Sequence, residues 1–305
     1  MKGLELNKAF FFEWGLPFIE REFPTLKEKL AAGCFTGSQA LGADDHLSQD
    51  HGWGPLFTIF LDDSCEIPGE EIIDRMCGAA PKDFRGYGRR GGKDAAVELV
   101  RVNRFFEKIF GCIPKTNADW VRHPVRQEAI ESGLYFLRHG ALYFDGHGRF
   151  SELREKFSKY PSDVRLLRMA GSAYRIAHYG EYNFCDRLVE RGDCISMQVA
   201  LGYFAEAVMR MYFYLNDDFA PYWKWLAFEF RRRRLSPVAE KALETLHTLT
   251  PAEQGDQVRA VCVELKKRMI DRGEVPSDIN NPHGNPWFFQ AMGHLQDMIS
   301  DENLK

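Results

Sequence analysis

The chain has 305 residues, 45% of them apolar and 13% aromatic, with a formal net charge of -4. That is enough apolar side chain for two domains with sizeable cores, which excludes global disorder, and the small acidic excess gives no general affinity for nucleic acid or an anionic membrane. Seven cysteines, odd in number and without C-x-x-C spacing, indicate neither a zinc ribbon nor a disulfide framework, so reduced thiols in a cytoplasm are the expectation.

The N-terminal MKGLELNKAFFFEWGLPF has an aromatic run but no signal-peptide core. From 17 to about 32, Phe18, Ile19, Phe23, Leu26 and Leu30 fall near one face, which predicts an amphipathic helix. CFTGS (34–38) reads as a short strand entering a Gly-Ser turn, and PLFTIFLDD (55–63) as a second strand bounded by Pro55 and Asp62. Helices are predicted over 94–110 and 125–138, the latter ended by Gly140, and ALYFDGHG (141–148) is a third strand. From Ser151 the strand signal stops. Segments 163–191, 194–216, 221–234, 237–249, 251–272 and 286–299 all read as helix. In 194–216, Ile195, Val199, Phe204, Val208, Met211 and Leu215 fall roughly on one face. Ser236-Pro237 and Thr250-Pro251-Ala252-Glu253 are helix starts, and 276–286 is a turn-rich loop. The longest apolar stretch, 199–215, is interrupted by Glu206 and Arg210 and falls short of the ~20 residues of a membrane span. The expectation is an α+β domain over 1–150 followed by a helical bundle over 151–305.

The densest chemistry is in 37–55, GSQALGADDHLSQDHGWGP. A Gly-Ser turn at a strand end lets backbone donors approach a polyphosphate. Carboxylates beside it would hold Mg²⁺ against the phosphate oxygens. Asp50 precedes the second strand. Residues i and i+2 project to one side of a strand, so its partner would be residue 52, which is glycine. His46, Asp50 and His51 invite a zinc reading, but Gly42 and Gly52 flank them, so the spacing is not that of a helical H-E-x-x-H site. YGRRGGKD (87–94) departs from a phosphate-binding P-loop, with Tyr87 where the first glycine belongs and Asp94 in place of Ser or Thr.

A strand, Gly-Ser, a gap of about ten residues and Asp-x-Asp before a second strand resembles the polymerase-β-like nucleotidyltransferase superfamily. More specifically, the chain resembles domain-of-unknown-function family 4037, whose motif runs approximately G-S-x-x-L-G-x-D…S-x-D-H-D-W-G-P. The likeness continues through FRGYG (84–88), DWVRHPVRQ (119–127), GALYFDGHGRFSELREKFSKYPSDV (140–164), GDCISMQVA (192–200) and FAPYWKWL (219–226). It also resembles kanamycin nucleotidyltransferase and related enzymes, which adenylylate a hydroxyl with ATP and Mg²⁺. The resemblance implies a nucleotidyltransferase-fold mixed sheet with Gly37 and Ser38 on triphosphate, Asp50 on Mg²⁺ or Mn²⁺, Asp145 near the metal and Lys224 neutralising phosphate. Arg85 is a candidate phosphate or substrate contact. Glu181 or Asp193 would face the pocket as a base, unless each is a surface acid or helix cap. The basic run Arg231–Arg234 suits a solvated helix end.

Three functions fit. One is metal-dependent transfer of a nucleoside monophosphate from ATP or another NTP to a hydroxyl of a small molecule or protein. Another is a catalytically degenerate nucleotide- or ligand-binding module, with the second metal carboxylate replaced by Gly52. The third is metal-dependent hydrolysis through His46, Asp50 and His51.

Overall fold

The structure, a computed structural model, describes residues 1–49, 53–88, 96–279 and 284–305. They form two compact units, one of Met1–Pro114 with Ser132–Ser158 and one of Lys115–Glu131 with Lys159–Lys305. The chain thus parts near residue 158, and 115–131 packs with the C-terminal unit. The first unit is α+β and the second is helical. Among the described residues no helix is long and apolar enough to cross a membrane.

In the first unit, β1 (Leu30–Cys34), β2 (Phe57–Leu61), β5 (Val97–Arg101) and β6 (Ala141–Asp145) form a mixed sheet in the order β5-β2-β1-β6. β1 is antiparallel to β2 and β6, whereas β2 and β5 are parallel. β3 (Asp83–Phe84) and β4 (Tyr87–Gly88) make a separate short hairpin. Alternation divides the sheet into two apolar faces. Leu30, Ala32, Phe57, Ile59, Leu61 and Val97 join Phe10, Phe11, Ile19, Leu26, Ile72 and Met76 on one side. On the other, Phe60 packs with Phe35, Phe105 and Phe150, and the ring cluster continues to Phe106 and Phe157.

Two expected helices are replaced in part by strands. The predicted 17–32 helix ends at Glu22, because Phe23 precedes a proline and takes φ -140°. Pro24–Lys29 forms a tight helical turn, and Leu30 opens β1. Within 94–110, Val97–Arg101 is strand β5, and helix begins only at Val102. Three helical segments in register from Gly3 to Glu22, a widened turn at Phe11–Gly15 among them, and the helix Gly69–Ala79 complete the layer over the first face.

The helical unit follows the sequence closely: its longest elements are Ser162–Arg175, Cys194–Leu215, Trp223–Arg232, Pro237–Thr245, Pro251–Asp271 and Trp287–Asp297. Thr250 caps its helix and Glu253 returns the bond to the Thr250 amide. One face differs from expectation. Ile195 and Val199 are exposed, and the buried stripe of Cys194–Leu215 runs through Met197, Ala200, Phe204, Ala207, Val208, Met211 and Leu215. At 100° per residue, 195 and 199 fall on the side opposite that stripe. The basic run is solvated as expected at Arg231, Arg232 and Arg234, and only Arg233 is half-buried. Arg232 and Arg233 pair with Glu229, and Arg233 with Asp218, both carboxylates being buried.

Candidate functional site

β1 ends at Cys34 and the chain turns through Thr36 into the one-turn helix Gly37–Ala40. Gly37 has φ +76°, a backbone state that a side chain would strain. The first N–H groups of such a turn have no partner within the helix, and the Thr36 side chain does not cap them. The turn borders a cleft of about 130 Å³ lined also by Asn7, Cys34, Trp53, Thr58 and Glu98.

Glu98 is the acid that the predicted site residues omit. It stands on β5 directly beside Thr58 on β2, and Thr58 Oγ1 donates to Glu98 Oε2 at 3.4 Å. Its exposed carboxylate therefore shares the cleft with the Gly37–Ser38 turn. Val97-Glu98-Leu99 alternates, but Val100 breaks the pattern, so three residues were all the sequence signal for a strand with an outward acid.

The cleft has a rigid floor. Asn7 is buried, donates from Nδ2 to Cys34 Sγ at 3.9 Å and accepts from the Leu56 amide at 3.5 Å. Burial raises the Cys34 thiol's pKa, so this thiol stays protonated and is no nucleophile at neutral pH. Asp44 anchors the rim: its Oδ2 accepts from the Gly3 amide at 2.8 Å and from Trp53 Nε1 at 3.1 Å. Burial opposes its ionisation, but the Gly3 amide and the Trp53 indole hold its carboxyl below the usual range.

The remaining predicted residues sit elsewhere. Asp50, His51 and Gly52 lie outside the described residues, and His46 is exposed. Asp45 accepts from Leu47 and Ser48 within its own turn. Asp145 does not join the Gly-Ser turn. It pairs with Ala31, three residues back along β1 from Cys34 or roughly 10 Å. There its carboxylate accepts from the Gly148 and Ser151 amides at 3.0 and 2.8 Å, holding the start of the helix Arg149–Lys156. Asp62 also lies at that end of the sheet, accepting from Ser64.

Arg85 forms the β3–β4 turn at φ +56° and pairs with Glu13. It does not line the cleft, although its hairpin neighbour Tyr87 packs edge-on against Trp53 at 5.4 Å. In the helical unit, Glu181 accepts from the Phe288 amide at 3.0 Å at the start of the helix Trp287–Asp297, and burial raises its pKa. Asp193 caps Cys194–Leu215 through Ile195 and Ser196. Lys224 lies on the helix Trp223–Arg232 with its ammonium 5.1 Å from the Trp225 ring centre. Among the described residues, no group of three His, Cys, Asp or Glu side chains could hold a metal ion.

Residues 127–226 match the family model described as Domain of unknown function (DUF4037). The match spans about a third of the chain, and over that segment the chain is similar to this family. The matched segment includes β6 and runs into the helical unit, whereas the cleft of the first unit is built from residues before it. No curated protein matches the chain. Among solved structures, a nucleotidyltransferase-like protein from Exiguobacterium sibiricum 255-15 is 14% identical, with a TM-score of 0.39, over 86% of this chain and 77% of that one.

Proposed function

We propose that the cleft of the first unit is a nucleotide site, and that the protein transfers a nucleoside monophosphate from ATP or another NTP to a hydroxyl acceptor with Mg²⁺ or Mn²⁺. The observation that carries this reading is the shared lining of the Gly37–Ser38 turn and Glu98. The turn offers amide donors to phosphate oxygens, and the β5 carboxylate stands beside it on a rigid strand pair. Glu98 accepts one long hydrogen bond from Thr58, which leaves most of its lone pairs for a cation. Mg²⁺ is usually held by one or two carboxylates together with substrate phosphates and water. Glu98 would be one such carboxylate, and Asp50, three residues ahead of the cleft-lining Trp53 in sequence, is the other by its place in the motif. Glu98 thus supplies a second carboxylate despite the glycine at 52. The cation would neutralise developing charge on the phosphoryl group and the leaving pyrophosphate.

The test combines Glu98→Gln with melting curves in ATP and Mn²⁺. Because Glu98 is exposed, the free variant should melt within about 1 °C of wild type. Stabilisation by ATP that depends on Mn²⁺ should disappear, and with it any pyrophosphate release in an acceptor screen. A variant stabilised as strongly as wild type would remove Glu98 from the site. Asp50→Ala tests the sequence partner in the same way. Gly52 sustains a second reading, a binding module without turnover. That reading expects ATP stabilisation with no pyrophosphate release across the screen, and release acquired on Gly52→Asp.

A further inference from the structure

The helical unit has its own cleft, of about 280 Å³, which the reading above does not use. Three helices line it. Ser162–Arg175 contributes Arg168, Gly171 and Arg175, spaced to share one face. Cys194–Leu215 contributes Glu206, Arg210 and Tyr214 at four-residue intervals. Gln127 and Glu131 come from the third helix, and every lining residue lies within the DUF4037 match.

The three arginines are not equivalently paired. Arg210 is held by three carboxylates, with Nη1 to Glu131 Oε2 at 2.6 Å, Nε to Glu206 Oε1 at 2.8 Å and Nη2 3.7 Å from Glu128 Oε1. Arg175 gives one nitrogen, Nη2, to the other Glu206 oxygen at 2.9 Å. Arg168 hydrogen-bonds the neutral Gln127 Oε1, and its buried Nε has no hydrogen-bond partner. Burial disfavours its charge, yet the surrounding groups, Glu131 among them, keep it firmly cationic.

Gly171 is the second observation. It sits inside a regular helix, where glycine is less stable than alanine. No positive φ requires it, and a Cβ there would meet nothing within 4 Å. The position is open, as it is at the helical glycines Gly78, Gly202 and Gly293, and here it lies on the wall of the cleft. The bare backbone at 171 lies between Arg168, three residues before, and Arg175, four after. A group resting there would reach both guanidiniums without a methyl between them.

We infer that this cleft binds the carboxylate or phosphate group of a small metabolite, seated over Gly171 between Arg168 and Arg175. Both oxyanions match guanidinium donors.

Calorimetric titration of the full chain with inorganic phosphate, and separately with acetate, reads the site. At least one should bind. A phosphate preference marks a phosphorylated ligand, and an acetate preference marks a carboxylate. Arg175→Gln should weaken binding by about tenfold, as for one charge-assisted hydrogen bond. Gly171→Ala should also weaken binding while raising the melting temperature of the free protein, opposite signs that a purely structural glycine would not give. Arg168→Gln should act like Arg175→Gln where it folds. Phosphate held instead at the Gly37–Ser38 turn would bind Arg175→Gln and Gly171→Ala as it binds wild type. That result, binding of neither anion, or a lower melting temperature for Gly171→Ala would each overturn the inference. None of these outcomes depends on the nucleotide reading.

Discussion

Replacing Glu131 by alanine should remove the acceptor at the centre of the helical unit's polar core. Glu131 is 4% exposed and meets four donors. Its Oε2 accepts from Arg210 Nη1 at 2.6 Å and Tyr214 Oη at 3.2 Å, and its Oε1 from Tyr160 Oη at 3.1 Å and the Ala220 amide at 3.2 Å. Removing one partner of a buried ion pair costs about 3–5 kcal/mol, because the other charge is left in a poor solvent. Arg210 keeps Glu206, which argues for the lower end, but two buried tyrosine hydroxyls lose their acceptor, which argues for the upper. We expect a loss of about 4 kcal/mol, or roughly 10 °C in the melting temperature of a unit this size. Calorimetry with urea unfolding followed by circular dichroism measures it. Adding Arg210→Met to Glu131→Ala should recover part of the loss, since the orphaned charge is then gone. A single-variant loss below about 1 kcal/mol, or a double variant whose losses simply add, would refute the account.

Gly33→Ala should destabilise the sheet by about 1–3 kcal/mol, as for other overpacked sites. A Cβ there would stand 2.6 Å from the Phe35 ring and closer still to the Ala141 carbonyl oxygen, which urea unfolding will detect. Asp44→Asn should flatten the acid limb of stability. The folded pKa of Asp44 is lowered, so its contribution is present above the unfolded value near 3.9 and lost as pH falls through the folded one. Melting curves from pH 7 down to pH 2 should therefore converge for variant and wild type at the acid end. Glu181→Ala should cost about 1 kcal/mol, as for other helix caps, and leave Mn²⁺-ATP stabilisation intact, which separates a cap on the Phe288 amide from a catalytic base.

Much of the helical unit was legible because its helices announce their ends. Asp193, Ser236 and Thr250 cap the helices that follow them, and the apolar spacing between such caps sets the buried face. Where the spacing admitted two faces, Ile195 and Val199 were assigned to the wrong one: Met197 and Ala200 in the same turns are buried, and 195 and 199 lie on the opposite side. In the first unit, β2 and β6 could be read from their apolar runs. β5 was hidden because its five residues adjoin the strongly amphipathic Val102–Phe110, and the combined period resembles one long helix. Glu98 was hidden with it. Local pattern named the Gly37–Ser38 turn, but only strand pairing shows which acid stands beside it, and that pairing joins residues forty positions apart. The same limit explains Asp145: a carboxylate at a strand end looks available until the register sets which end of the sheet it occupies.

The discontinuity of the helical unit bears on how the chain is made. Residues 115–131, with Glu131 at their end, leave the ribosome before Ser132–Ser158 completes the first unit; Tyr160 follows directly after it, and Arg210 and Tyr214 only much later. At ~5–20 residues per second the segment waits several seconds for its partners. A C-terminal fragment begun at residue 159 would never receive it. Such a fragment would be synthesised with Arg210 lacking Glu128 and Glu131, two of its three carboxylates. Supplying 115–131 in trans, or by circular permutation that places it after Lys305, is the route to an autonomous helical unit.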